Sequence, residues 1–363
     1  MGSKAPRYFD GLDGLRGVAA LAVVVHHSHR ILGFQPLPHG YLAVDFFFIL
    51  SGFVIAHAYQ AKLASNMSLV QFAKARFDRL YPMLFLGIVA GGVGFSFRQG
   101  VAWIDVAPAM AAQLVLLPAP FLHGPDATMW ALNPPAWSLF WEVAASLAFA
   151  LFLARASDRA LRWLWLGFAA CLIVVGFRWT MVSVGFEAKN ALCGIPRTGV
   201  SFTLGVILWR AFDAGAMDRW MRRPSLAMVA LLLLGVFAIP QPTAVVDAIL
   251  VLVVLPLLLI AGVLSLNSSC LWNWLGRVSY PLYLIHFPVL FVFQAFLLRG
   301  AGLAERFAWF AIYLVVALIA ALLITVLWDE PVRRKIRDAR LARKGGDDRA
   351  ASFGGAMFSQ GLP

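Results

Sequence analysis

The sequence predicts an all-α, polytopic membrane protein with about ten transmembrane helices and both termini cytoplasmic. Composition is the first reason: 61% of the 363 residues are hydrophobic, only 13% are charged, and mean hydropathy is +0.79. A soluble domain carries roughly 45–50% apolar and about 25% charged residues, so too little polar surface is present here to clothe a water-facing fold. Recurrence is the second: apolar runs of about 20 residues follow one another along the chain. Charge distribution is the third, because a ten-span reading with the N-terminus inside puts most of the 30 Lys and Arg residues on inner segments. A soluble enzyme, a secreted domain and a disordered chain are excluded. The net charge of +12 and pI near 10.2 are explained by orientation and anionic lipid, so nucleic acid is not an expected partner. Cys171, Cys193 and Cys270 have no CxxC spacing and signal neither a metal site nor a disulfide framework.

The expected spans are 12–33, 41–60, 80–97, 137–154, 161–178, 197–212, 225–240, 243–264, 279–298 and 308–328. The first run is broken by Arg16, His26, His27 and His29 and has no small-residue cleavage site after it, which marks a retained span rather than a leader. The stretch 106–118 has the length of a re-entrant or interfacial segment, and counting it as a span reverses the charge bias of everything that follows. Three regions result: a cytoplasmic segment 1–11, a transmembrane domain 12–330 and a basic, mobile cytoplasmic tail 331–363. No internal repeat is evident, which argues against repeat-built transporters.

Ionisable residues inside a membrane are functional candidates by default, because charge in hydrocarbon is costly. In the first span Arg16 precedes His27 by eleven positions. Eleven steps of about 100° end within about 20° of three full turns, so the two share a helix face roughly 16 Å apart along the axis. The second span runs inward from Tyr41 and places Asp45 at a depth comparable to His27, and the fourth does the same for Glu142. A histidine oriented by a carboxylate is suited to taking a proton from a hydroxyl. At the inner face Arg76 and Arg79 lie three residues apart, point the same way, and with Arg16 form a clamp for a phosphate-bearing donor. His286 falls near mid-membrane, where it either lines a donor channel or bonds a neighbouring helix. Ser51 lacks a Gly-x-Ser-x-Gly elbow and is read as a small residue for helix packing. The same histidines and carboxylates are also compatible with a transporter or flippase using a proton relay, and a scaffold for polysaccharide machinery is a third class.

The motifs resemble those of the acyltransferase-3 family. Phe-Asp-Gly-Leu-Asp-Gly-Leu-Arg-Gly-Val-Ala-Ala (9–20), continuing to His27, is similar to its Arg-x10-His signature, and Val44–Ile55 to its second-helix block. Arg76-Phe-Asp-Arg79 resembles its Arg-x-x-Arg element, Trp137-Ser-Leu-Phe-Trp-Glu142 its Trp-Ser-Leu-x-x-Glu element, and Tyr283-Leu-Ile-His286-Phe-Pro a block near the end of the membrane domain. The doubled His26–His27 is a minor departure. The resemblance implies an integral membrane enzyme that moves an acyl group, usually acetyl, from cytoplasmic acyl-CoA to a hydroxyl of a carbohydrate or glycolipid acceptor. It needs no metal and resides in the cell (inner) membrane among lipid. On that resemblance Arg16 and His27 form the essential pair, Glu142 supports the reaction centre, and Arg76 and Arg79 assist acetyl-CoA binding or active-site assembly. It also implies the stand-alone branch, without an extracytoplasmic hydrolase-like domain, acting on exopolysaccharide, lipopolysaccharide, lipo-oligosaccharide or small glycosides.

Overall fold

A computed structural model describes residues 9–122, 127–217, 223–265, 269–296 and 302–340, and among them it is all-helical, with one isolated β-bridge between Thr128 and Glu187. Helix α1 (Asp10–His27) carries Asp10 and Asp13 in its first turn, matching charge to the helix dipole, and ends on His26 and His27. The short α2 (His29–Leu32) stops at Gly33, whose φ of 82° is the left-handed cap that glycine supplies. After α3 (Ala43–Ser65), α4 (Leu69–Gln99) opens on a capping box in which Ser68 accepts from the Gln71 amide and the Gln71 side chain accepts from the Ser68 amide.

Next come α5 (Trp103–Leu114), α6 (Ala136–Leu151), α7 (Asp158–Trp179), α8 (Gly194–Asp213) and α9 (Leu226–Phe237). Helices α10 (Ala244–Ile249) and α11 (Leu255–Leu264) form one run through a π-helical turn at Leu250–Val254. Helix α12 (Cys270–Phe296) is followed by α13 (Leu303–Ile324), which passes through a second π-helical turn and stays helical to Arg340.

Seven helical runs among the described residues are long and apolar enough to cross a membrane: Gly40–Ser65, Leu69–Gln99, Asp158–Trp179, Ala188–Asp213, Ala244–Leu264, Cys270–Phe296 and Leu303–Arg340. The chain is thus an all-α, multi-pass membrane protein. The other three expected spans fall on α1 and on the shorter apolar helices Ala136–Leu151 and Leu226–Phe237. The stretch 106–118 falls largely on the twelve-residue α5, packed against α4. The expected basic tail begins as an extension of α13 over 331–340; its remainder, 341–363, and residues 1–8 of the N-terminal segment lie outside the described residues.

Two pairings form the centre, α1 on α12 and α3 on α8. Both depend on backbone approach that only glycine permits. A Cβ on Gly17 would stand 2.7 Å from the Leu275 carbonyl oxygen, and one on Gly52 would stand 2.1 Å from that of Phe202. Proline inside α12 creates a further link. Pro288 has no N–H to give to the Leu284 carbonyl, and Asn133 fills the vacancy, donating to Leu284 at 2.8 Å and to the Gly87 carbonyl of α4 at 3.0 Å.

Candidate active site

Three adjoining cavities run through the bundle beside α12. The first, with an empty volume of about 1020 Å³, opens between the start of α1, the start of α12 and the α13 extension, and six arginines line it: Arg16, Arg79, Arg277, Arg333, Arg334 and Arg337. Among the described residues two carboxylates share that wall. Asp329 pairs with Arg333, and Glu330 pairs with Arg277 at 2.8 Å. An ion pair between Arg340 and Asp78 ties the extension to α4. Arg16 is fastened in place by hydrogen bonds to Ser279 Oγ at 2.8 Å and to the Gly276 carbonyl at 2.7 Å, and by an ion pair with Asp13.

The second cavity, about 810 Å³, shares Arg16, Arg79 and Tyr280 with the first. Most of its lining is apolar, from Phe47, Phe48, Val54 and Leu139 among others, with one polar knot. Glu142 Oε1 accepts from Arg76 Nη2 at 2.5 Å and from Ser51 Oγ at 2.9 Å, joining α3, α4 and α6. Arg79 has no hydrogen-bond or ion-pair partner among the described residues and stands at the junction of the two spaces. A charge-lined entrance leading to an apolar sleeve fits a ligand with an anionic head and a long, less polar arm.

The third cavity, about 800 Å³, shares Val44 and Tyr283 with the second. The Tyr283 hydroxyl at that junction is held by Ser138 Oγ at 2.8 Å, so α6 and α12 set its position together. Here stand His27, His26, His29, Arg30, Tyr41 and Arg197, with Trp137 and Phe186 as aromatic walls. The Nδ1 of His27 lies 3.1 Å from Nε2 of His286, and the two rings are nearly parallel. His26 is fixed by its Nδ1 donating to the Leu37 carbonyl at 2.9 Å.

Arg16 and His27 do lie on one side of α1, the side that meets α12, at the first and third cavities. Arg76 and Arg79 both line the second cavity, but Arg76 is committed to Glu142. The expected approach of carboxylates to His27 is not what the contacts give. Glu142 stays in the second cavity, and Asp45, wholly buried, bonds Arg197 through both oxygens at 2.7 to 3.2 Å. A buried guanidinium binds a carboxylate more strongly than a neutral imidazole does, so Asp45 is drawn to α8 and His27 is left to a histidine. Of the two roles open to His286, the contacts give the second: it is fully buried, lines neither of the first two cavities, and bonds His27 of the neighbouring α1.

Sequence reasoning missed the arginines of the α13 extension, Arg197, Tyr283 and the contact from Ser51. The first had a readable signal: Arg333, Arg337 and Arg340 recur at helical spacing, so the basic run presents one face rather than a loose tail.

Residues 9–326 match the family described as an acyltransferase domain. Protein 2 in the picA locus of Rhizobium radiobacter is 37% identical over 171 residues, which cover 43% of this chain and 88% of that protein. Acyltransferase MdmB of Streptomyces mycarofaciens is 28% identical over 77% of this chain and 78% of its own length. O-acetyltransferase OatA of Staphylococcus aureus is 23% identical over 91% of this chain, which spans only 58% of OatA. No solved structure matches the chain.

Proposed function

The chain belongs to the acyltransferase-3 family, and on that premise we propose that it transfers an acyl group, most simply acetyl, from cytoplasmic acyl-CoA to a hydroxyl of a glycan acceptor such as exopolysaccharide, lipopolysaccharide or lipo-oligosaccharide. The observation that carries this reading is the succession of cavities from a six-arginine mouth through an apolar sleeve to His27. Acetyl-CoA would enter at the mouth, its phosphates facing Arg79, Arg333, Arg334 and Arg337. Its pantetheine arm would lie along the second cavity and bring the thioester past Tyr283. The acceptor would occupy the third cavity from the opposite end, against Trp137. The topology that goes with this is ten spans in the cell (inner) membrane, both termini cytoplasmic, with Arg16, Arg79 and the α13 extension at the inner face.

His27 would act as the general base. It takes the acceptor hydroxyl's proton as the oxygen attacks the thioester carbonyl, and the proton then passes to the departing thiolate as the C–S bond breaks. Arg76, Ser51 and Glu142 shape the sleeve between donor and base, while Asp45 acts at one remove by holding Arg197 in the acceptor cavity wall. Family membership displaces the flippase alternative, in which the same groups would only relay protons.

The test is transfer of label from radiolabelled acetyl-CoA into membrane-associated glycan by wild type, His27→Ala and His26→Ala. The reading expects His27→Ala to abolish incorporation and His26→Ala to spare it. Wild-type rates in His27→Ala would remove His27 from the reaction. No incorporation by wild type would overturn the choice of donor or acceptor.

A further inference from the structure

We propose that His286 is a positioning residue that fixes the tautomer of His27, placing the proton on Nδ1 and leaving Nε2 as the atom that accepts the substrate's proton. The proposal rests on the reading of His27 as the general base. Its argument begins at a backbone carbonyl. His286 Nδ1 lies 3.1 Å from the carbonyl oxygen of Leu282, one turn earlier on α12. A carbonyl oxygen only accepts, so His286 Nδ1 carries a hydrogen. A neutral imidazole has one such hydrogen, so its Nε2 offers a lone pair. That Nε2 stands 3.1 Å from His27 Nδ1. Two facing lone pairs would repel at this distance, so His27 Nδ1 is the donor and its Nε2 is bare.

The competing arrangement needs a doubly protonated His286 donating to His27, and the surroundings oppose it. Both rings are enclosed by Phe287, Tyr283 and the His26 ring, and no carboxylate contacts either one among the described residues. The two nearby candidates are spoken for, Asp45 by Arg197 and Glu142 by Arg76. Arg30, on the same cavity wall, adds positive charge rather than removing it. A buried imidazolium without a counter-charge is costly, so the neutral relay is the stable one. The geometry thus does with an imidazole and a carbonyl what a carboxylate does elsewhere: it orients the base and supports its imidazolium through an Nδ1–H bond while Nε2 holds the acceptor's proton.

The experiment uses the full chain in detergent or nanodiscs. Nitrogen NMR of histidine-labelled protein, with the His27 signals assigned by their loss in His27→Ala, should show His27 protonated on Nδ1 and bare on Nε2. His286→Leu, which offers no acceptor, should lose about 100-fold or more in kcat with little change in either KM, since the loss is of base orientation and not of binding. His286→Gln, whose amide oxygen can accept from His27 Nδ1, should stay within about tenfold of wild type. A wild-type His27 protonated on Nε2, or equal rates in the Leu and Gln variants, would overturn the proposal. Those outcomes are separable from failure of the base assignment, which shows as transfer persisting in His27→Ala.

Discussion

Glu142 meets two donors with a single oxygen, the Arg76 guanidinium at 2.5 Å and the Ser51 hydroxyl at 2.9 Å, and so holds three helices at one point. Removing the carboxylate leaves Arg76, 7% exposed, facing an apolar sleeve without a counter-charge. Glu142→Ala is expected to cost about 2–3 kcal/mol, less than the ~3–5 of a fully buried pair because the Glu142 side chain keeps 21% of its surface. Glu142→Gln also removes the counter-charge but retains an acceptor for Arg76 and Ser51, so it should cost less than Glu142→Ala. Thermal unfolding midpoints in detergent check the order: wild type, then Gln, then Ala. At this scale the sequence disclosed much of the site, since the eleven-residue interval puts Arg16 and His27 on one face by helix geometry alone. It could not disclose that His27 pairs with His286, 259 positions away, because helix periodicity orders residues within an element and says nothing of which elements meet.

Helices α3 and α8 are joined by shape and by charge. Gly52 and Gly205 let the backbones touch, and nearby Arg197 binds Asp45 at 2.7 Å with 1% and 0% of the two side chains exposed. Replacing either partner alone strands the other, so Asp45→Leu should destabilise by about 3–5 kcal/mol, whereas Asp45→Leu with Arg197→Met should recover much of that loss. The double variant should nevertheless be impaired in acyl transfer, because Arg197 lines the third cavity, where the acceptor is proposed to sit. Unfolding midpoints for the two variants, paired with acetyl-transfer rates, test both halves. A double variant no more stable than Asp45→Leu would show that the pair does not act as a unit. The helices themselves were largely readable from apolar runs. The continuation of α13 to Arg340 was signalled by the helical spacing of Arg333, Arg337 and Arg340, but what that face packs against was not, since it is the ion pairs with Asp329 and Asp78 that fix it.

Across the whole molecule the three cavities share residues at each junction, Arg16, Arg79 and Tyr280 at one and Val44 and Tyr283 at the other. On the proposed function this order separates donor binding from chemistry. Arg334→Glu with Arg337→Glu changes only the mouth and should raise KM for acetyl-CoA about tenfold, roughly 1.4 kcal/mol of lost binding, with kcat nearly unchanged. Tyr283→Trp thickens the wall between the second and third cavities. It should lower kcat about tenfold or more while coenzyme A affinity, measured by calorimetry, moves less than about twofold. Equal changes in affinity and turnover for both variants would mean that the spaces do not work in series.

Helix α1 precedes the seven long apolar runs in the sequence, yet it is not among those apolar enough to cross a membrane by length and composition. Its Arg16 is held by Ser279 and by the carbonyl of Gly276, both on α12, and its backbone closes on that helix at Leu275. During synthesis, therefore, α1 must wait for about 260 further residues before the groups that satisfy its arginine and flank its histidine exist. Until then Arg16 has its ion pair with Asp13 on the same helix but not its bonds to α12, and the helix is held by the insertion machinery or rests at the bilayer surface. The placing of Arg16 and His27 and the completion of the fold are thereby made the same event, and a chain interrupted before α12 yields a helix without its partner for quality control rather than a nearly finished protein.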